Sequence, residues 1–147
     1  MFSNTCKYAI RAVIYLATRE NIKEKIGIKK IADDLNLPSP FLGKILQNLV
    51  RAKILDSVKG PHGGFSMGKD PNDIAIIDII DVIDGREIFE NCLIGLKICE
   101  SDPLKRSLCP FHPYSEPVRT RILELFEGQS VGSFAKNFED VKSLVNL

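Results

Sequence analysis

Three cysteines and a histidine crowd into one stretch of this 147-residue chain: Cys92, Cys99, Cys109 and His112, separated by six, nine and two intervening residues. Three thiolates and one imidazole are soft-to-borderline ligands, the set that suits an iron–sulfur cluster or a zinc ion. Structural zinc sites favour tight knuckles of two to four residues between cysteines, and the first two intervals lack them. Wide spacing on a flexible loop better fits a larger cluster. Two other readings stand beside metal binding: a thiol redox switch, and inert buried cysteines. The fourth cysteine, Cys6, stands alone on a helical stretch, where such a residue is ordinarily a small buried hydrophobe. Its alternative role is a ligand lent to a partner's loop.

Catalysis finds little support. The two histidines, His62 and His112, are 50 residues apart and do not assemble an acid–base pair from sequence. A cysteine nucleophile with His112 as its base is the surviving enzymatic reading. The glycine-rich run Gly60-Pro61-His62-Gly63-Gly64 belongs to a hairpin, not to the strand-to-helix turn of a phosphate loop.

The net charge of +1 conceals a division. Residues 1–69 hold 12 Lys/Arg against 5 Asp/Glu, and residues 70–147 hold 8 against 14. A basic front half beside an acidic rear half points to a polyanion met by the front alone, because phosphates are bound by Lys and Arg. A hydrophobic fraction of 44% and a charged fraction of 27% are ordinary for a globular protein. No apolar run reaches the ~18–20 residues that span a bilayer, and the opening residues lack the form of a signal peptide. The expectation is a cytoplasmic protein with no membrane partner.

The elements that must carry these groups can be read in order. Residues 4–19 form a helix, with Tyr8, Ala9, Ala12, Val13 and Leu16 at helical spacing, Ser3 or Thr5 as its cap, and Lys7 and Arg11 sharing a polar face. Residues 28–36 make a second helix. Ser39-Pro40 opens a third, with Ser39 as N-cap and an apolar stripe of Phe41, Leu42, Ile45, Leu46 and Leu49. Two short helices joined by a tight turn are the helix-turn-helix arrangement. The next segment reads as strand 54–59, turn 60–64 and returning strand 65–69, a wing whose tip carries Lys59, His62 and Lys69 on glycines that let backbone approach a phosphate. Residues 72–84 form an isoleucine-rich helix with Asp78, Asp81 and Asp84 along a solvated side. Residues 85–115 read as a long irregular loop holding the clustered cysteines. From Pro117 a helix resumes, with Val118, Ile122, Leu125 and Phe126 inward, and residues 129–147 form an extension with a possible last helix.

Taken together, these residues resemble the IscR/NsrR family of bacterial iron–sulfur transcription regulators, from about residue 1 to residue 128. The likeness is carried by Lys7-Tyr8-Ala9-Ile10-Arg11-Ala12, by Leu49-Val50-Arg51-Ala52-Lys53-Ile54-Leu55, by the wing Val58-Lys59-Gly60-Pro61-His62-Gly63-Gly64-Phe65, and by the cysteine loop. The resemblance implies a mainly α protein with a small β wing: a winged helix-turn-helix domain (1–84), a cysteine-rich sensor loop (85–115), and a long dimerisation helix with a C-terminal extension (116–147). It implies a homodimeric repressor on a double-stranded DNA operator, with recognition helices in successive major grooves and wings in the flanking minor groove. Ser39, Phe41 and Lys44 then fall on the early recognition helix, with Phe41 open to a core role instead. His62 and Gly63 fall on the wing, and Lys7, Arg11 and Lys59 near phosphates. Cys92, Cys99 and Cys109 match the family's cluster cysteines, and His112 matches the fourth ligand of some members. The implied cofactor is an iron–sulfur cluster, 2Fe–2S ahead of 4Fe–4S, with zinc or no metal as alternatives. The chain departs from the best-known members in its longer cysteine intervals. It also has Lys7 where nitric-oxide-sensing relatives place an acidic ligand, which shifts that role to His112, with Cys6 as the outside candidate.

Overall fold

The computed structural model describes residues 2–94, 104 and 108–141. The chain runs through α1 (Asn4–Ala17), α2 (Ile28–Leu35), α3 (Ser39–Arg51), β1 (Leu55–Val58), β2 (Gly64–Met67), a 3-10 turn (Pro71–Asp73), α4 (Ile76–Ile83), a short α5 (Glu87–Glu90), α6 (His112–Gly128) and α7 (Val131–Val141). It is a mainly helical fold with one small antiparallel sheet, in which Leu55 lies opposite Met67 and Val58 opposite Gly64. Among the described residues, no helix is long and apolar enough to cross a membrane.

Aliphatic stripes at helical spacing build the core. Ala9, Ala12, Val13 and Leu16 of α1 meet Leu42, Ile45, Leu46 and Leu49 of α3 and the isoleucines of α4, all in one continuous cluster. Burial of this apolar surface drives the assembly, and polar contacts at the helix ends fix its angles. Ser3 caps α1: its Oγ accepts from the Cys6 N–H at 3.0 Å, while its own N–H and hydroxyl donate to the Asp84 carboxylate at 2.8 and 2.5 Å. The start of α1 is thereby held to the end of α4.

The turn of the helix pair depends on Asn36, which closes α2 in the left-handed region at φ 51°, a conformation asparagine tolerates better than most residues. The cap of α3 differs from expectation. Extended Pro38 (φ −67°, ψ 110°) occupies the cap position and Ser39 is already helical, without a side-chain capping bond. Pro40 sits in the first turn, where its missing N–H leaves no bond unmade.

The aspartates of α4 are not the solvated row their spacing suggested. The Asp78 carboxylate accepts from the Ala75 N–H at 2.9 Å, Asp81 pairs with Arg86 at 2.8 Å, and Asp84 binds Ser3. The later helix also differs. It begins at His112, not Pro117, and Val118 and Leu125 point outward while Ser115 and Arg119 are buried. Residues beyond 129 join the body, because Val131 and Ala135 of α7 are buried and the helix lies against α1 and the 3-10 turn. Two backbone bonds seat it, Ile76 N–H to Gln129 O at 2.9 Å and Val131 N–H to Ile74 O at 2.8 Å.

The wing is anchored on both edges. One edge of β2 pairs with β1, and the other pairs with the segment before α2. Ile26 and Phe65 exchange both backbone bonds at 2.9 Å, and Met67 N–H donates to Ile22 O at 3.0 Å. Gly64 makes this possible. Its φ is +147°, and a Cβ there would lie 2.3 Å from the Ile26 carbonyl oxygen. Gly64→Ala is expected to lower stability by about 1–3 kcal/mol, measured by urea denaturation; an unchanged midpoint would contradict the proposed anchoring.

Candidate nucleic-acid interface and cysteine pocket

Burial of Leu42, Ile45, Leu46 and Leu49 leaves Ser39, Phe41, Lys44 and Gln47 on the outer face of α3. Phe41 is 68% exposed and is not a core residue of the chain. An exposed aromatic beside Ser and Lys on the first turns of a second helix suits contacts to base edges and thymine methyl groups. At the wing tip, Lys59 and His62 are exposed, and Gly60 adopts φ +110°. A Cβ on Gly63 would fall 2.1 Å from the Val58 carbonyl oxygen, so the hairpin closes only with glycine there.

A groove between the wing and the start of α2 is lined by Gly27, Lys29, Gln47, Ser57, Lys59 and Gly63. Lys29, Gln47 and Ser57 were not singled out by sequence. Gly27 caps α2 without a side-chain acceptor, which leaves the helix's first N–H groups without a side-chain cap, a setting that favours anions. That cap was the readable signal for this part of the surface.

Lys7 is exposed on α1. Arg11 has a different engagement: its Nη2 donates to the Leu35 carbonyl at 2.7 Å, capping the C-terminus of α2. It therefore fixes the helix pair against α1. Asp34 adds a second tie, accepting from the Tyr15 hydroxyl and pairing with Arg19 at 3.4 Å and Lys30 at 3.1 Å.

At the other end of the molecule, Cys92, Cys109 and His112 line one small pocket with Phe111, Ser115 and Arg119. The chain leaving α5 delivers Cys92, and the start of α6 delivers His112, whose N–H donates to the Cys109 carbonyl at 3.1 Å. Cys109 is buried and Cys92 half-buried. Cys99 lies outside the described residues. Among those described, no group of three His, Cys, Asp or Glu side chains is already gathered around a metal position. The His112 Nε2 lies 3.0 Å from Glu116 Oε2. A carboxylate on one ring nitrogen leaves the other available, the arrangement by which carboxylates orient metal-ligating histidines. Two sulfurs and an imidazole on one pocket wall match the donor chemistry of an iron–sulfur or zinc centre.

Residues 2–137 match the Rrf2 family, described as iron-dependent transcriptional regulators. The chain belongs to the Rrf2 family. It is a DNA-binding transcriptional regulator and not an enzyme, which removes the cysteine-nucleophile reading. Over 131 residues it is 34% identical to an Aquifex aeolicus protein named as an HTH-type transcriptional regulator, covering 89% of this chain and 88% of that one. Its fold is similar to that of CymR, the global cysteine regulator of B. subtilis, with TM-score 0.73 and 24% identity over 93% of this chain and 97% of that chain. It is also similar to T. potens IscR, with TM-score 0.70 and 25% identity over 96% of this chain and 90% of that chain.

Cys6 stands apart from the pocket in this Rrf2 chain. It is 0% exposed within the core, and burial, reinforced by the nearby Asp84 carboxylate, pushes its thiol up to about 12. A thiol so held is a poor ligand and a poor nucleophile. In the folded protein at pH 8, iodoacetamide is expected to leave Cys6 unmodified until denaturant is added, as read by peptide mass spectrometry. Rapid native labelling of Cys6 would contradict its burial.

Proposed function

We propose that this Rrf2 protein is a homodimeric, operator-binding repressor whose grip on DNA depends on a sulfur-ligated centre held by Cys92, Cys99, Cys109 and His112. The observation that carries the reading is the convergence of Cys92, Cys109 and His112 at one pocket at the root of α6. The adjacent face of that helix exposes Val118 and Leu125, with Ile122 between them along an open apolar groove. Apolar residues at 118, 122 and 125 repeat at the spacing of a helix–helix seam, so this face is assigned to the partner protomer.

On DNA, Ser39, Phe41 and Lys44 read the major groove, while Lys59, His62 and Gly63 enter the flanking minor groove. Lys7 approaches phosphates. Arg11 serves that contact mainly by setting the angle of the helix pair through Leu35. In this division, residues 1–84 bind DNA, 85–115 sense, and 116–147 hold the dimerisation helix and a C-terminal extension whose helix α7 packs on α1. Because His112 lies on α6 itself, a change in the pocket acts directly on the dimer helix and through it on the spacing of the two reading heads. Such a change alters affinity only if the loaded site favours one spacing over another.

The donor set fits an iron–sulfur cluster, which when bound supplies a centre whose presence and oxidation state respond to iron and oxidants. The 2Fe–2S type is preferred over 4Fe–4S. A second reading makes the same residues a thiol switch or zinc site, supported by two cysteines sharing one confined pocket. Anaerobic purification distinguishes them. The cluster reading expects a coloured protein with visible absorbance and stoichiometric iron and sulfide; a colourless protein containing zinc, or no metal, contradicts it.

A further inference from the structure

Two elements that enter adjacent grooves of a duplex must straddle the sugar–phosphate strand that separates those grooves. In this chain the two elements are α3 and the wing, and the surface between them is a groove to which three parts of the chain contribute. The start of α2 brings Gly27 and Lys29, α3 brings Gln47, and the wing brings Ser57 and Lys59. Gly64 and Phe65 of β2 line it as well, so the groove lies on the seam where the wing pairs with Ile26.

The polar side chains of this groove are uncommitted. Neighbouring lysines are engaged inside the protein: Lys23 Nζ donates to the Met67 carbonyl at 3.0 Å, Lys25 Nζ donates to Ser66 Oγ at 2.8 Å, and Lys30 pairs with Asp34 at 3.1 Å. Lys29, Gln47, Ser57 and Lys59 are exposed, and none makes a side-chain hydrogen bond or ion pair among the described residues. No Asp or Glu lines the groove. Two cations and two neutral donors with no carboxylate among them suit a phosphate backbone. Gly27 adds a second feature. Its φ of −64° and ψ of 146° suit any residue, and a Cβ there would meet nothing within 4 Å. The fold does not require glycine at this point; a strand passing close to the wall does.

We propose that this groove seats one phosphate of the operator strand that runs between α3 and the wing, with Lys29 as its charge partner and Gln47 and Ser57 as neutral donors. The inference rests on reading α3 and the wing as the parts that enter the two grooves. Within it, Lys29 and Gln47 are positioning residues that read no base. They fix the register at which Ser39, Phe41 and Lys44 meet base edges.

The test uses the full-length protein and a duplex that it selects from a random library. Lys29→Gln is expected to weaken binding about three- to tenfold and to lower the slope of log affinity against log salt by about 0.9 for each bound protomer. Gln47→Ala should cost about threefold and leave that slope unchanged, since it removes a neutral donor. Gly27→Asp separates binding from folding. Aspartate caps a helix better than glycine and complements its dipole, so the melting temperature should rise by about 2 °C. Its charge faces the seated phosphate, so affinity should fall about tenfold. Neutral methylphosphonates placed at each position in turn then locate the contact. At one phosphate of each half-site, the substitution should cost the wild type about tenfold, cost Lys29→Gln little, and abolish the Gly27→Asp penalty. Additive losses at every phosphate, with an unchanged salt slope in Lys29→Gln, would overturn the proposal. Phe41→Ala and His62→Ala test the head itself. If both bind the duplex as the wild type does, the reading of α3 and the wing falls; if they weaken binding and the groove variants do not, only the phosphate seat falls.

Discussion

The exchange of two backbone hydrogen bonds between Ile26 and Phe65 turns the wing and the helix pair into one body. A two-stranded hairpin by itself is marginal in water. Here the hairpin gains a third pairing segment from the residues that lead into α2, so the tip carrying Lys59 and His62 is held at a fixed offset from Ser39 and Lys44. Recognition by a helix and a wing together requires that offset, because the two must enter adjacent grooves at once. Gly64 is the local condition for the pairing, and Arg11 and Asp34 set the remaining angle between α1 and the helix pair.

The rear of the molecule connects to this head through the start of α1. Phe2 packs edge-on against Phe126 of α6, with ring centroids 5.2 Å apart, and against Phe89 of α5 at 6.2 Å. Ser3, the next residue, is bound to Asp84 at the end of α4. Packed rings thus join α5 and α6 to the start of α1, and a charged hydrogen bond joins that start to α4. The cysteine pocket sits between those same two elements, with Arg119 bridging them. The cysteine pocket and the winged helix-turn-helix are therefore contiguous in the fold, as the proposed energetic coupling between them requires.

The head was legible in the sequence because its signals are local. Asn36 and Pro38 mark the turn, the aliphatic spacing marks α1 and α3, and the glycines between Val58 and Phe65 mark the hairpin. Cys6 was likewise readable as a buried hydrophobe. The rear was harder to read, for specific reasons. Pro113 suggested loop and Pro117 the start of the helix, yet Pro113 lies in the first turn of α6, where its missing N–H has no helical acceptor to lose. That helix carries two candidate stripes, and the apolar one was assigned inward. The structure turns Ser115 and Arg119 inward, because Arg119 has carbonyl partners on a segment far away in sequence. Asp78, Asp81 and Asp84 gave no hint of Ser3 or Arg86, since spacing along a helix does not report what packs against it. Cys92, Cys109 and His112 line one pocket, and nothing in their spacing indicated that Glu116 pairs with His112 or that Arg119 shares the lining.

The central claim is that the sulfur pocket and the DNA-binding head share one free energy. Its most direct measurement is the affinity of the loaded and stripped forms for the same duplex, chosen by selection from a random library and titrated at fixed salt. The account predicts a difference of about tenfold, within the usual range of coupling between sites, and loss of that difference when Cys92, Cys99 and Cys109 are replaced by alanine. Identical affinity of the two forms on every selected duplex would contradict it.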